Sequence, residues 1–167
     1  MKRYWVTIKQ DDQIDLMVLD TSATTAIIQD EPESPLFITN IENAAVLRIS
    51  AATLIETGIV MHSRYGDAGD IEADQFIQHL KVNITPVTPD QAEIAREAYR
   101  EYGNGNHPAG LNFGDCFSYA LAISTQEELL FKGDDFAKKR CQNSLIIDNR
   151  SHFLFSSSSF HHTLSGF

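Results

Sequence analysis

Short apolar runs alternate along the chain with stretches of helical period, and that alternation predicts most of the elements. Met17-Val18-Leu19 reads as a buried strand ending at Asp20-Thr21-Ser22, where Thr21 or Ser22 caps a helix begun by Ala23 to Ile28. Pro32 and Pro35 mark the connection that follows, Phe37 to Asn43 holds a helical turn, and Ala45 to Ile49 is a second buried strand. Ser50-Ala51-Ala52 opens a helix to about Tyr65, with Leu54, Ile55, Ile59 and Met61 as its apolar faces. Residues 66–69 form a loop, and Asp70 starts a helix carrying Ile71, Phe76, Ile77 and Leu80. A third strand spans Val82 to Val87, and a helix runs from Pro89 to about Tyr102, with proline in front and Gly103 behind. After a loop rich in Gly, Asn and Pro, a helix covers Phe113 to Thr125, with Phe113, Phe117 and Leu121 as its apolar stripe. Leu129-Leu130-Phe131 is the fourth strand, leading into Gly133-Asp134-Asp135-Phe136.

Strands alternating with helices predict an α/β fold, a parallel sheet flanked by helices on both faces. Right-handed crossovers place the strand ends that feed helices along one edge of the sheet, where ligand sites of open α/β sheets gather. The pattern weakens at both ends. Residues 1–16 are polar around a weak edge strand at Tyr4 to Ile8 and read as an N-terminal extension to a domain over 17–140. Residues 141–167 sustain no period and include the low-complexity Ser156 to Ser159; they read as an atypical, poorly ordered tail without chemistry.

Composition narrows the class. A chain of 167 residues, 43% hydrophobic and 22% charged, suits one globular domain and not a disordered one. No apolar run is long enough to cross a membrane and no signal peptide follows the basic start, so the expected location is the cytoplasm. Cys116 and Cys141 make neither a zinc signature nor a disulfide framework, and Cys116 lies in a core-like helical pattern. The formal net charge of −10 excludes a protein that coats nucleic acid by charge alone. It leaves room for a nuclease whose phosphate-facing charge comes from a metal on clustered carboxylates.

Four acids fit such a cluster. Asp20 follows the first strand, Glu56 lies in the second long helix, Asp115 is near the front of the 113–125 helix, and Asp134 follows the fourth strand. Carboxylates in apolar surroundings are costly unless paired or metal-bound, and several together resist full ionisation. A hard divalent cation with oxygen ligands removes both objections. Each acid also has an ordinary role open to it: Asp20 as an N-cap or turn residue, Asp115 as a first-turn acid, Glu56 as a partner of Arg48 or Arg64, and Asp134 or Asp135 as turn residues. Arg48, Arg64, Lys132, Lys138, Lys139 and Arg140 are the candidate phosphate contacts.

Four segments carry a resemblance. They are Met17-Val18-Leu19-Asp20-Thr21-Ser22-Ala23, then Ser50-Ala51-Ala52-Thr53-Leu54-Ile55-Glu56. His107-Pro108-Ala109-Gly110-Leu111-Asn112-Phe113-Gly114-Asp115-Cys116-Phe117 and Leu129-Leu130-Phe131-Lys132-Gly133-Asp134-Asp135-Phe136 follow. In this order they resemble PIN-domain proteins, in particular the VapC-type ribonuclease toxins of VapBC toxin–antitoxin pairs. The resemblance implies a Rossmann-like sheet, Mg²⁺- or Mn²⁺-dependent endoribonuclease activity, RNA as substrate, a cognate antitoxin as partner and a homodimer. It maps the family's acids onto Asp20, Glu56, Asp115 and Asp134, with Asp135 as the alternative fourth. Asp20 and Asp115 become the main metal ligands, while Glu56 and Asp134 complete the shell and orient a water that attacks in line, leaving a 5′-phosphate and a 3′-hydroxyl. Thr21 or Ser22 is expected to assist through its hydroxyl. Residues 141–167 have no counterpart in the resemblance, which keeps open an inactive PIN-type module that still binds antitoxin. An aspartyl-nucleophile phosphatase built on Asp20 fits less well, since Ser22 stands where that chemistry wants a second acid.

Overall fold

A computed structural model describes residues 16–132 and the short strand Ile146–Ile147. The expected strand at Tyr4 to Ile8, the acids Asp134 and Asp135, the cations 138–140 and most of the 141–167 segment lie outside the described residues.

The elements run β1 (Leu16–Leu19), α1 (Thr21–Ile28), α2 (Ser34–Asn43), β2 (Val46–Ser50), α3 (Ala51–Tyr65), α4 (Asp67–His79), β3 (Asn83–Thr85), α5 (Pro89–Tyr102), α6 (Phe113–Thr125), β4 (Glu128–Leu130) and β5 (Ile146–Ile147). The strands form one sheet in the order β3-β2-β1-β4-β5, and every pairing is parallel. Successive β1 side chains point to opposite faces. Val18 joins Leu129, Phe131 and the buried residues of α5 and α6 in one core. Met17 and Leu19 join Leu130, Leu47, Ile49 and the buried residues of α1 and α2 in the other. The expected α/β architecture with helices on both faces is therefore the observed one.

Local chemistry sets the helix boundaries. Ser50 caps α3, its hydroxyl accepting from Ala52 N–H at 3.3 Å. Thr88 and Gln91 make a capping box at the front of α5, with Pro89 in the first turn. Helix α2 starts earlier than expected because Pro35 belongs to its first turn, a position where the missing N–H costs nothing. Helix α4 likewise starts at Asp67, because Gly66 at φ 60° turns the chain directly from α3 into α4. In the segment expected to hold no element, Ile146–Ile147 pairs with Leu129 and Leu130 and extends the sheet beyond β4.

Two apolar faces differ from the expected ones. The buried stripe of α3 is Thr53, Thr57 and Met61, whereas Ile55 and Ile59 are each 64% exposed. The buried threonines are satisfied internally: Thr53 Oγ1 lies 2.9 Å from Ser118 Oγ, and Thr57 Oγ1 donates to Thr53 O at 2.9 Å. On α6, Leu121 is buried but Phe113 is 77% exposed.

The sequence order of the strands sets the place of the site. After β1 the chain leaves toward β2 on one side, and β4 pairs on the other, so the order reverses between β1 and β4. Such a switch point leaves a crevice at the carboxyl ends of the strands. Asp20 N–H donates to Leu130 O at 3.0 Å, which closes the ends of β1 and β4 on each other there.

Candidate active site

Asp20 is the first residue beyond β1 and the N-cap of α1. Its Oδ2 accepts from Ser22 N–H at 2.9 Å and from Ser22 Oγ at 2.6 Å. Ser22 Oγ in turn accepts from Lys132 N–H at 2.9 Å, so one hydroxyl ties the acid to the chain beyond β4. The residue is 1% exposed, and its Oδ1 is buried without a hydrogen-bond partner among the described residues. An N-cap side chain contributes about 1 kcal/mol, whereas an unsatisfied buried polar atom costs about 1–3 kcal/mol. Serine would cap α1 as well without that cost, so capping alone does not account for the aspartate. A cation beside Oδ1 would. The orphaned carboxylate oxygen is a donor of the kind a hard divalent ion takes. Among the described residues, however, the donor atoms that lie within 4.8 Å of one another are those of His62, Asp67 and Asp70, and not those of Asp20, Glu56 and Asp115.

Glu56 lies in the second turn of α3, where its Oε2 accepts from Thr21 Oγ1 at 2.7 Å. Its carboxylate also occupies the space that a Cβ on Gly114 would fill. Gly114 directly precedes Asp115, so the absent side chain at that position lets Glu56 rest against the front of α6. Asp115 and Asn112 form a capping box: Asp115 Oδ2 accepts from Asn112 N–H at 2.8 Å, and Asn112 Oδ1 accepts from Asp115 N–H at 2.9 Å.

Three of the four expected acids thus come from elements that meet at one edge of the sheet, through the Thr21–Glu56 bond and the Glu56–Gly114 contact. Asp134 lies outside the described residues. The ordinary roles of Asp20 and Asp115 are also observed, since both acids cap helices. Glu56 pairs with neither Arg48 nor Arg64: Arg48 Nε bonds Glu127 Oε1 at 2.7 Å, and Arg64 bonds Gln29. The two hydroxyls expected to assist are bonded to the acids, Thr21 to Glu56 and Ser22 to Asp20. Sequence reasoning missed that Thr21 holds Glu56 and that Gly114 makes room for it; a glycine beside an acid was the available signal.

If Glu56 serves the chemistry expected of it, this geometry makes Thr21 the residue that positions it. Loss of this bond in Thr21→Val is expected to misplace Glu56 and, for the cleavage that the resemblance implies, to slow the rate roughly tenfold to a hundredfold, with the melting temperature lowered by several degrees at most. Thr21→Ser should restore the rate, and an undiminished rate in the valine variant would remove this role.

A second cluster was not expected. His62 at the end of α3 and Asp67 and Asp70 at the front of α4 bring donor atoms within 4.8 Å of one another. His62 Nδ1 donates to Asp70 Oδ2 at 2.8 Å, and this bond to a carboxylate holds the imidazole above its usual pKa. This exposed corner shares only α3 with the acids at the strand ends, and lies at the other end of that helix from Glu56.

Among the described phosphate candidates, each has a partner within the chain. Arg48 is held by the buried Glu127. Lys132 reaches Glu31 and Glu33, whose carboxylates raise its pKa, and its ammonium in return holds Glu33 below the usual carboxylate range. Cys116 is a core residue, its thiol pushed up to about 11 by burial and by the neighbouring Asp115, which leaves it poorly nucleophilic.

Comparison with known proteins supplies an independent line. A family model described as the PIN domain matches residues 17–140. VapC ribonuclease Mb0640 of Mycobacterium bovis is 46% identical over 120 residues, covering 72% of this chain and 92% of the relative. A ribonuclease VapC of Mycolicibacterium smegmatis is 48% identical over 120 residues, covering 72% and 93%. Among solved structures, Mycobacterium tuberculosis VapC20, a toxin that cleaves the sarcin–ricin loop, superposes with a TM-score of 0.60 at 19% identity, covering 73% of this chain and 93% of that one. VapBC2 of Rickettsia felis, bound to a DNA fragment from its promoter, gives a TM-score of 0.61 at 16% identity, covering 79% and 97%.

Proposed function

Because the chain belongs to the PIN-domain family, in its VapC ribonuclease branch, we propose that it is a divalent-metal-dependent endoribonuclease and the toxin of a VapBC-type pair. The observation that carries this reading is Asp20: a buried acid with one orphaned oxygen at the switch point of a parallel sheet. Asp20 and Asp115 would hold the ion, with Glu56 and Asp134 completing its surroundings. A Mg²⁺ or Mn²⁺ ion there supplies a Lewis acid for the phosphodiester and lowers the pKa of an attacking water. Ser22 fixes the Asp20 carboxylate from two directions. Thr21 fixes Glu56, which orients the water for attack in line with the leaving 3′-oxygen.

The reading includes a cytoplasmic site of action and two protein partners. Among the described residues no helix is long and apolar enough to cross a membrane. An antitoxin would cover apolar surface on α2, where Leu36 and Ile38 are exposed. A second copy would cover Ile55 and Ile59, which point away from the core stripe of α3. The Ile55→Asp/Ile59→Asp double variant is therefore expected to elute as a monomer at concentrations where the parent is a dimer, with its circular dichroism retained. Identical masses for the two proteins would rule this face out.

The activity itself is tested with purified chain and RNA. Cleavage is expected with added Mg²⁺ or Mn²⁺ and none after chelation by EDTA; equal cleavage in EDTA would overturn the proposal.

A further inference from the structure

Between α5 and α6 lies a hollow of about 450 Å³, lined by Ala92, Ala95, Tyr99, Phe113 and Phe117. Its size lies in the range of small-molecule sites. Phe113 forms one lip, 77% exposed, its ring packed edge-on against Phe117 with centroids 4.9 Å apart. The sequence pattern expected this phenyl in the core, but among the described residues it belongs to neither core cluster. Arg96 and Arg100 line the same hollow. Each is held by a carboxylate one turn earlier, Glu93 and Glu97, in exposed pairs of a kind that contribute little and exchange readily for a phosphate.

We propose that this hollow is a stacking subsite for an unpaired base of the RNA strand cut at the acids, with Arg96 and Arg100 taking the adjoining phosphates. Aromatic faces beside guanidinium groups are the chemistry by which proteins hold splayed bases of single-stranded RNA. Position supports the assignment. Phe113 opens α6, Asp115 stands two residues on, and the glycine between them carries the Glu56 carboxylate against it. A strand whose phosphodiester reaches the acids therefore passes the lip of the hollow, and a base turned into it fixes the register of cleavage. Two arginines on a chain of net charge −10 suit an anionic strand better than the other occupants of an apolar groove.

This inference rests on the ribonuclease reading, and the test separates the two. Binding is measured by fluorescence anisotropy on the full chain in the Asp20→Asn background with EDTA present, so that slowed cleavage does not consume the probe. The probes are a labelled single-stranded oligoadenylate and an abasic ribose–phosphate chain of the same length. The oligoadenylate should bind more tightly. Phe113→Ala should weaken it about tenfold, the order expected for one stacked base, and leave the abasic probe unchanged. Phe113→Trp should restore the loss and Phe113→Leu should not, because stacking needs a π-face and not merely apolar area. Unchanged oligoadenylate binding in Phe113→Ala, or full restoration by leucine, overturns the subsite. A changed oligomeric mass in Phe113→Ala also overturns it, assigning the face to a protein partner. The parent chain assayed with Mg²⁺ and Mn²⁺ reports on the ribonuclease reading alone: no cleavage removes that reading, while cleavage without a base effect removes only the subsite.

Discussion

Asp20→Asn is expected to slow RNA cleavage by about 10²–10⁴-fold, the range for losing one group that acts in the transition state, without lowering the melting temperature. The asparagine keeps what the fold uses. Its carbonyl oxygen still accepts from Ser22 N–H and Oγ, so the cap on α1 survives. What disappears is a buried charge whose second oxygen has no partner among the described residues. Removing such a charge in the absence of metal relieves a cost, so the variant should melt at the same temperature as the parent, or higher, in EDTA. Added Mn²⁺ should raise the melting temperature of the parent through binding to the native state, and this shift should shrink or vanish in the variant. An aspartate kept only as a cap would give a different outcome: near-normal cleavage and an unchanged metal shift.

Gly114→Ala is the second large effect, and it acts through space. A Cβ at this position falls on the Glu56 carboxylate, the far end of a flexible side chain, so the side chain and not the backbone gives way. The helix tolerates the change, since Gly114 is the second residue of α6 and does not have a positive φ. Glu56, however, must leave the place where Thr21 holds it. A misplacement of about 1 Å in a catalytic constellation costs on the order of 100-fold in rate. Gly114→Ala should therefore lose most activity while the melting temperature stays within a few degrees of the parent. In a Glu56→Gln background the same change should add little, because both substitutions remove one interaction. Additive losses would show that Gly114 acts by some route other than Glu56.

The placement of Asp20 was legible in the sequence because it depends on one local rule, an acid directly after a buried apolar run. The strand Leu16–Leu19 and the helices from Pro89 and Phe113 were legible for the same kind of reason: apolar runs, a leading proline and a trailing glycine mark them. The inner face of α3 was not. Thr53 and Thr57 look like surface residues by hydropathy, and their burial becomes affordable only when Ser118 and the Thr53 carbonyl arrive to satisfy the hydroxyls. With threonines turned inward, Ile55 and Ile59 face outward against their hydropathy. The corner of His62, Asp67 and Asp70 was hidden too, because it needs Gly66 to turn the chain and Gly69 to bring α4 against Met61. Phe113 misled in the opposite direction, since its spacing to Phe117 and Leu121 matches a core stripe that begins only after it.

The most direct test of the metal assignment is an anomalous-difference map from crystals soaked in Mn²⁺. A peak is expected at the carboxyl ends of the strands, within coordination distance of Asp20 and Asp115, and it should be lost in Asp20→Asn crystals. Manganese bound at His62, Asp67 and Asp70 with none near Asp20 would contradict the account.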